Sequence, residues 1–151
     1  MTTPTFKPSH YHGVHVDATT RRAAHTTTQS YLAGFNRLLA RPTHKRPHQQ
    51  VIAGPALANL LEMRKEYAGK HYRVVGEPKI VSQKVIKRRA HPPLLVVATC
   101  LDNTAVKVLD KHGQQVTTSA GPARVMNLLT LVFRDGHWLV THSSLPTNPA
   151  C

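Results

Sequence analysis

The sequence predicts an α+β domain in which N-terminal helices pack on a curved antiparallel sheet, and three observations carry that expectation. In the C-terminal half, apolar runs over residues 94–101, 105–109, 125–133 and 138–141 are separated by turn residues at Asn103, Gly113 and Asp135-Gly136, the layout of an antiparallel meander. Asp-Gly between two apolar runs supplies the positive φ angles of a tight hairpin, so the stretch from Phe133 to Trp138 joins two antiparallel strands. In the N-terminal half, Ala24, Thr28, Tyr31, Phe35, Leu38 and Leu39 recur three and four apart, which is the spacing of one helix face.

The elements follow in chain order. Residues 1–16 hold Pro4, Pro8 and three histidines with no helical period, and read as a flexible arm. Asp17 can accept from the first free N–H groups of a helix and offset its dipole, so the first helix starts there and runs to about Ala40. Its apolar stripe leaves Arg21, Arg22 and Arg37 outside, and burial must compensate for the weak propensity of Thr26-Thr27-Thr28. A basic, proline-bounded loop over residues 41–47 follows, and Pro47 opens a short turn through Ile52.

Pro55 suits a first helical position, and a second helix spans residues 55–68 with Leu57, Leu60, Leu61, Tyr67 and Ala68 on its apolar face and Gly69 as its stop. Strands over residues 71–75 and 79–87 are split by Gly76-Glu77-Pro78. Lys87-Arg88-Arg89 opens a second basic loop before the meander, and residues 144–151, with Pro146 and Pro149, form a loose tail. The organisation is thus an arm (1–16), one domain (17–143) and a tail (144–151). In its core Leu129, Leu131, Val97, Val106 and Trp138 are expected to meet Leu32, Phe35 and Leu60.

A chain of 151 residues is long enough for one domain with a real core. Its longest apolar runs fall well short of the about 20 residues needed to cross a bilayer. Cys100, within an apolar strand run, and Cys151, the last residue, show no disulfide framework or metal-ligand spacing, so two thiols are expected, one buried and one exposed. The first residues lack the pattern of a secretory signal, and a cytoplasmic location is expected.

Charge is the compositional outlier. Residues 1–92 hold 16 Lys and Arg against 4 Asp and Glu, a net of +12, whereas residues 93–151 hold 4 against 3, a net of +1. The helical half therefore carries the positive field, which attracts polyanions through counterion release and loses that attraction with salt.

Tyr31-Leu32-Ala33-Gly34-Phe35 in the first helix, Ala53-Gly54-Pro55-Ala56-Leu57 opening the second, Gly69 and Gly76 between helix and strand, Cys100-Leu101-Asp102, Val108-Leu109-Asp110 with Gly113, and Arg134-Asp135-Gly136-His137-Trp138 follow one another in a familiar order. Over residues 17–143 the chain resembles the nuclear-transport-factor-2-like superfamily of cystatin-like α+β cones, and within it small uncharacterised actinobacterial members. The resemblance implies a curved sheet wrapped around the first helix, with a pocket at the open end. It also implies a choice between isomerase, dehydratase or cyclase enzymes and binding or assembly modules, the latter often dimeric across the sheet; fold alone does not choose.

Enzyme chemistry in such a pocket needs a tuned carboxylate or histidine with a partner for the oxyanion. Asp102, Asp110 and Asp135 fall at turns, Glu62 and Glu66 on a polar helix side, and Glu77 in a loop, so Tyr31, Asn127 and His142 are the pocket-lining candidates. A packed tyrosine and a solvent histidine are the plainer reading of those residues. An open apolar cavity with converging polar groups would favour an enzyme, and a filled interior would not. His10, His12 and His15 lie in the arm without a scaffold, and no metal or other cofactor is expected.

The basic residues Arg21, Arg22, Arg41, Lys45, Arg46, Lys87, Arg88 and Arg89 are the anion-binding candidates, with the first two groups expected near each other. Stacking aromatics, which single-stranded nucleic acid would need, are missing from them. The expected function is a non-enzymatic binding or assembly module, a homodimer or other protein partner with possible polyanion contact. A small-molecule isomerase, dehydratase or cyclase is the alternative.

Overall fold

Asp17 caps the first helix, α1 (Ala18–Ala40), by accepting the Thr20 N–H at 2.7 Å. The computed structural model describes residues 11–44, 51–116 and 123–151 of the chain. The same Thr20 N–H bond holds the Asp17 carboxyl below its usual range. The cap is therefore complete above the ordinary aspartate range and is lost as pH falls through the lowered value. Ala24, Thr27, Thr28, Tyr31, Gly34, Leu38 and Leu39 form the buried face, close to the stripe the spacing predicts.

Helix α2 (Gly54–Lys70) has proline in its first turn, as expected, but Gly69 does not stop it. His71 does: it takes the left-handed conformation (φ 57°), its N–H reaches Ala68 O at 3.2 Å, and the Tyr72 N–H reaches Tyr67 O at 2.8 Å. The next strand accordingly begins at Arg73 and not at His71.

Among the described residues six strands follow: β1 (Arg73–Val75), β2 (Lys79–Arg89), β3 (Leu94–Asp102), β4 (Lys107–Leu109), β5 (Arg124–Arg134) and β6 (His137–Ser144). Four of them form an antiparallel sheet in the order β2-β3-β5-β6, while β1 and β4 pair separately. The simple meander is thus corrected, because β4 leaves the main sheet. Asp102 accepts both the N–H and the hydroxyl of Thr104, and the Val106 N–H bonds Asn103 O, so the chain turns away after β3. Lys87, Arg88 and Arg89 are also corrected from loop to strand: they pair with Val96, Leu95 and Leu94, and the chain turns only after Arg89.

Gly76 joins β1 to β2 with φ +81°, and a Cβ there would fall 1.9 Å from Ala105 O. Both the left-handed backbone and the backbone contact demand glycine. Gly76→Ala is expected to destabilise the fold by more than about 2 kcal/mol, read as a lowered urea midpoint. An unchanged midpoint would mean that the loop carrying Ala105 shifts freely.

On the interior face of the sheet, Leu95 and Val97 stand opposite Leu131 and Leu129, and Val140 continues the layer; all five are essentially buried. They pack with Tyr31, Leu39 and Leu60, while Leu32, Phe35, Val106 and Trp138 join at the margin. The expected partners therefore meet, but Phe35 is half-buried and is not the centre. A polar contact crosses this core: Gln83 Nε2 donates to Thr28 Oγ1 at 2.7 Å and to Thr99 Oγ1 at 3.1 Å, and both threonines are fully buried. The Asp135-Gly136 hairpin forms as predicted, with φ of 53° and 85°.

The cysteines are not two thiols. Cys100 and Cys151 form a disulfide, with Cα atoms 6.0 Å apart. Residues 144–151 are not loose either, since the Met126 N–H bonds Pro149 O and Ala150 bridges Val125. Of the expected arm, residues 1–10 lie outside the described residues, but residues 11–16 are docked. The Val14 N–H bonds Val85 O at 2.9 Å, Lys84 Nζ donates to Tyr11 O at 3.1 Å, and Val16 is buried.

Candidate functional site

The interior is not filled. A cavity of about 550 Å³ lies between α1, α2, the β1–β4 pair and the main sheet. Tyr31, Phe35 and Asn36 enter it from α1, Met63 and Tyr67 from α2, Val106 and Val108 from around β4, and Asn127, Leu129 and Ser143 from β5 and β6. The apolar side chains come from the helical stripes and from alternate strand positions, which is why a sequence patterned to fill a core leaves a lined pocket at its margin.

Tyr31 is buried, and burial pushes its phenol up while a hydrogen bond to Ser143 acts in the opposite direction. Asn36 is committed to the backbone, its Nδ2 donating to Gly76 O at 3.0 Å. Asn127 pairs across the sheet with Thr99 and faces inward with it.

His142, expected in the same constellation, is exposed on the other face, with Nδ1 3.0 Å from Thr141 Oγ1. Counting alternate residues inward from Trp138 and Val140 would place His142 in the cavity. A register shift between the Thr130 and Leu131 pairings inserts Thr141 as an extra residue, which reverses the phase and turns Ser143 inward instead. Sequence reasoning therefore missed Ser143, and a single extra residue in the strand offers no local signal.

No described residue lining the cavity is a carboxylate, histidine or cysteine, and its one charged side chain is the exposed Lys107. The carboxylates are used elsewhere. The Thr104 N–H holds Asp102 below its usual range, and the Gln114 N–H does the same for Asp110. The cavity can bind through shape and neutral hydrogen bonds.

The basic candidates separate. Arg21 and Arg22 lie in the first turns of α1 and Arg41 caps its other end, about 30 Å further along the axis at 1.5 Å per residue, so they do not form one patch. Lys45 and Arg46 lie outside the described residues. Lys87, Arg88 and Arg89 are exposed on β2. What the structure does bring together is Arg21 and Arg22 with Lys84, around a groove at the edge of β2. His10 is outside the described residues, and among those described no three His, Cys, Asp or Glu side chains are placed to hold a metal. Among the described residues no helix is long and apolar enough to cross a membrane.

No family model and no curated protein matches the sequence. Among solved structures, the intermembrane space region of the chloroplast protein ARC6 is similar, with a TM-score of 0.57 and 12% identity over 87% of this chain and 98% of that one. At that identity the likeness is one of fold: two helices on antiparallel sheet, with a similar extent.

Proposed function

We propose that the chain is a non-enzymatic binding module of the nuclear-transport-factor-2-like kind, whose interior cavity takes an uncharged, mainly apolar ligand or side chain. The observation that carries this reading is the lining: Phe35, Met63, Val106 and Leu129 offer apolar wall, Tyr31, Asn127 and Ser143 offer neutral hydrogen-bonding groups, and the described lining holds no carboxylate, histidine or cysteine. Self-association across the outer sheet face belongs to the same reading. It is supported by Leu94, Val96, Leu128 and Val132, which share the face of the main sheet opposite Leu95, Val97, Leu129 and Leu131 and stay only half-buried. The basic helical half adds an affinity for anionic partners. The Cys100–Cys151 bond argues for an oxidising compartment in place of the cytoplasmic one expected from the first residues.

An enzyme of the isomerase, dehydratase or cyclase kind is the second reading, favoured by one observation, the open cavity with Tyr31, Asn127 and Ser143 converging on it.

A neutral solvatochromic dye such as Nile red tests the cavity. The parent protein should bind it with a blue-shifted emission, and Ser143→Phe, which fills the site beside Tyr31, should weaken binding at least about tenfold, or about 1.4 kcal/mol, at unchanged secondary structure. Equal binding by parent and variant would remove the cavity from the function.

A further inference from the structure

We propose that the groove between the first half of α1 and the free edge of β2 is a docking site for an extended acidic peptide, which adds to the sheet as a further strand. The inference rests on reading the chain as a binding module but uses a different face from the cavity. The groove encloses about 750 Å³, and its walls carry His15, Arg21, Arg22, His25 and Lys84 over an aliphatic floor. Among the described residues no carboxylate lines it. The nearest one, Asp17, is turned to the Thr20 N–H, with Arg88 and His15 acting on it from beside the groove.

The edge of β2 supplies the second argument. Among the described residues its only strand partner is β3, and the opposite side already accepts extended chain at one point, where the Val14 N–H meets Val85 O at 2.9 Å. Val85 therefore points its backbone groups away from β3. No register shift separates Gln83 from Val85, so by strand alternation the Gln83 N–H and C=O also point outward, into the groove. A peptide laid along this edge gains main-chain hydrogen bonds there, and alternate side chains reach Arg21 and Arg22 across from it. Val81, 43% exposed, offers apolar contact on the same edge.

Charge decides the occupant. The chain's own residues 1–10 carry Lys7, two prolines and no carboxylate, and its seven Asp and Glu stand singly along the sequence. Neither that segment nor a second copy can present an acidic strand. Single-stranded nucleic acid is disfavoured because, among the described residues, no Phe, Tyr or Trp lines the groove for stacking.

The test uses the full chain and a fluorescein-labelled ten-residue peptide of alternating Glu and Val, measured by anisotropy against the same peptide with Gln for Glu. Binding of the Glu peptide, at least tenfold tighter than that of the Gln peptide, is expected, together with slowed exchange of the Gln83 amide. Arg21→Glu with Arg22→Glu should weaken it at least tenfold, whereas the charge-matched Lys111→Glu with Arg134→Glu should not. Circular dichroism of both double variants shows whether the fold is kept, and Gln83 protection in the parent stands independently of either. Equal affinity for the Glu and Gln peptides would overturn the proposal. So would equal loss in both double variants, or tighter binding of oligothymidine or anionic vesicles that protects the same amide. None of these outcomes touches the dye in the cavity, so the two sites fail or stand separately.

Discussion

Leu131→Ala should lower the free energy of unfolding by about 3–5 kcal/mol, measured as a shift of the denaturant midpoint at constant slope. Leu131 is completely buried in β5, opposite Leu95 of β3 on one side and Val140 of β6 on the other, so no neighbour can relax into the space without leaving its own ladder. Against a typical total of about 5–15 kcal/mol this is a large fraction. Phe35→Ala should cost less, because Phe35 is half-buried at the cavity wall and its removal enlarges a space that already exists. Equal costs would move the centre of the core from the sheet to α1.

Cys151→Ser should cost about 2–4 kcal/mol, and reductant should lower the stability of the parent protein by the same amount while leaving the variant unmoved. The bond closes 51 residues of chain, which constrains the unfolded ensemble, and it holds residues that are also tethered by the Met126 N–H on Pro149 O and the bridge from Ala150 to Val125. Thiol titration of the unreduced protein should find no free cysteine. Two reactive thiols, with a transition insensitive to reductant, would restore the picture of independent cysteines and remove the argument for an oxidising compartment.

What was legible in the sequence was local. Asp17 announces α1 because the cap and the donor it satisfies are three residues apart, and Asp135-Gly136 announces its hairpin because the turn itself needs positive φ. The helical stripe from Ala24 to Leu39 shows in the spacing alone. What was not legible depends on partners far along the chain. Cys100 meets Cys151 only because β3 lies beside β5 and the last residues fold back along β5. The separate pairing of β1 with β4 joins two three-residue strands that carry little pattern of their own. Lys87-Arg88-Arg89 reads as loop because charge on an edge strand is free to face solvent without any alternation. The exchange of His142 for Ser143 in the cavity follows from one extra residue in β6, a change of phase that composition does not encode.

The disulfide also determines how the domain bears load. Without it, a pull at residue 151 would first strip the last residues from β5 and then peel β6, an edge strand, one hydrogen bond at a time. With the bond intact, the same pull enters at Cys100, toward the end of β3, which is held on both sides by β2 and β5. Strand β3 can then move only by shearing two ladders together, so the carboxyl end becomes the mechanically strong attachment point of the fold, and a tether placed there would yield or release before the domain unravels.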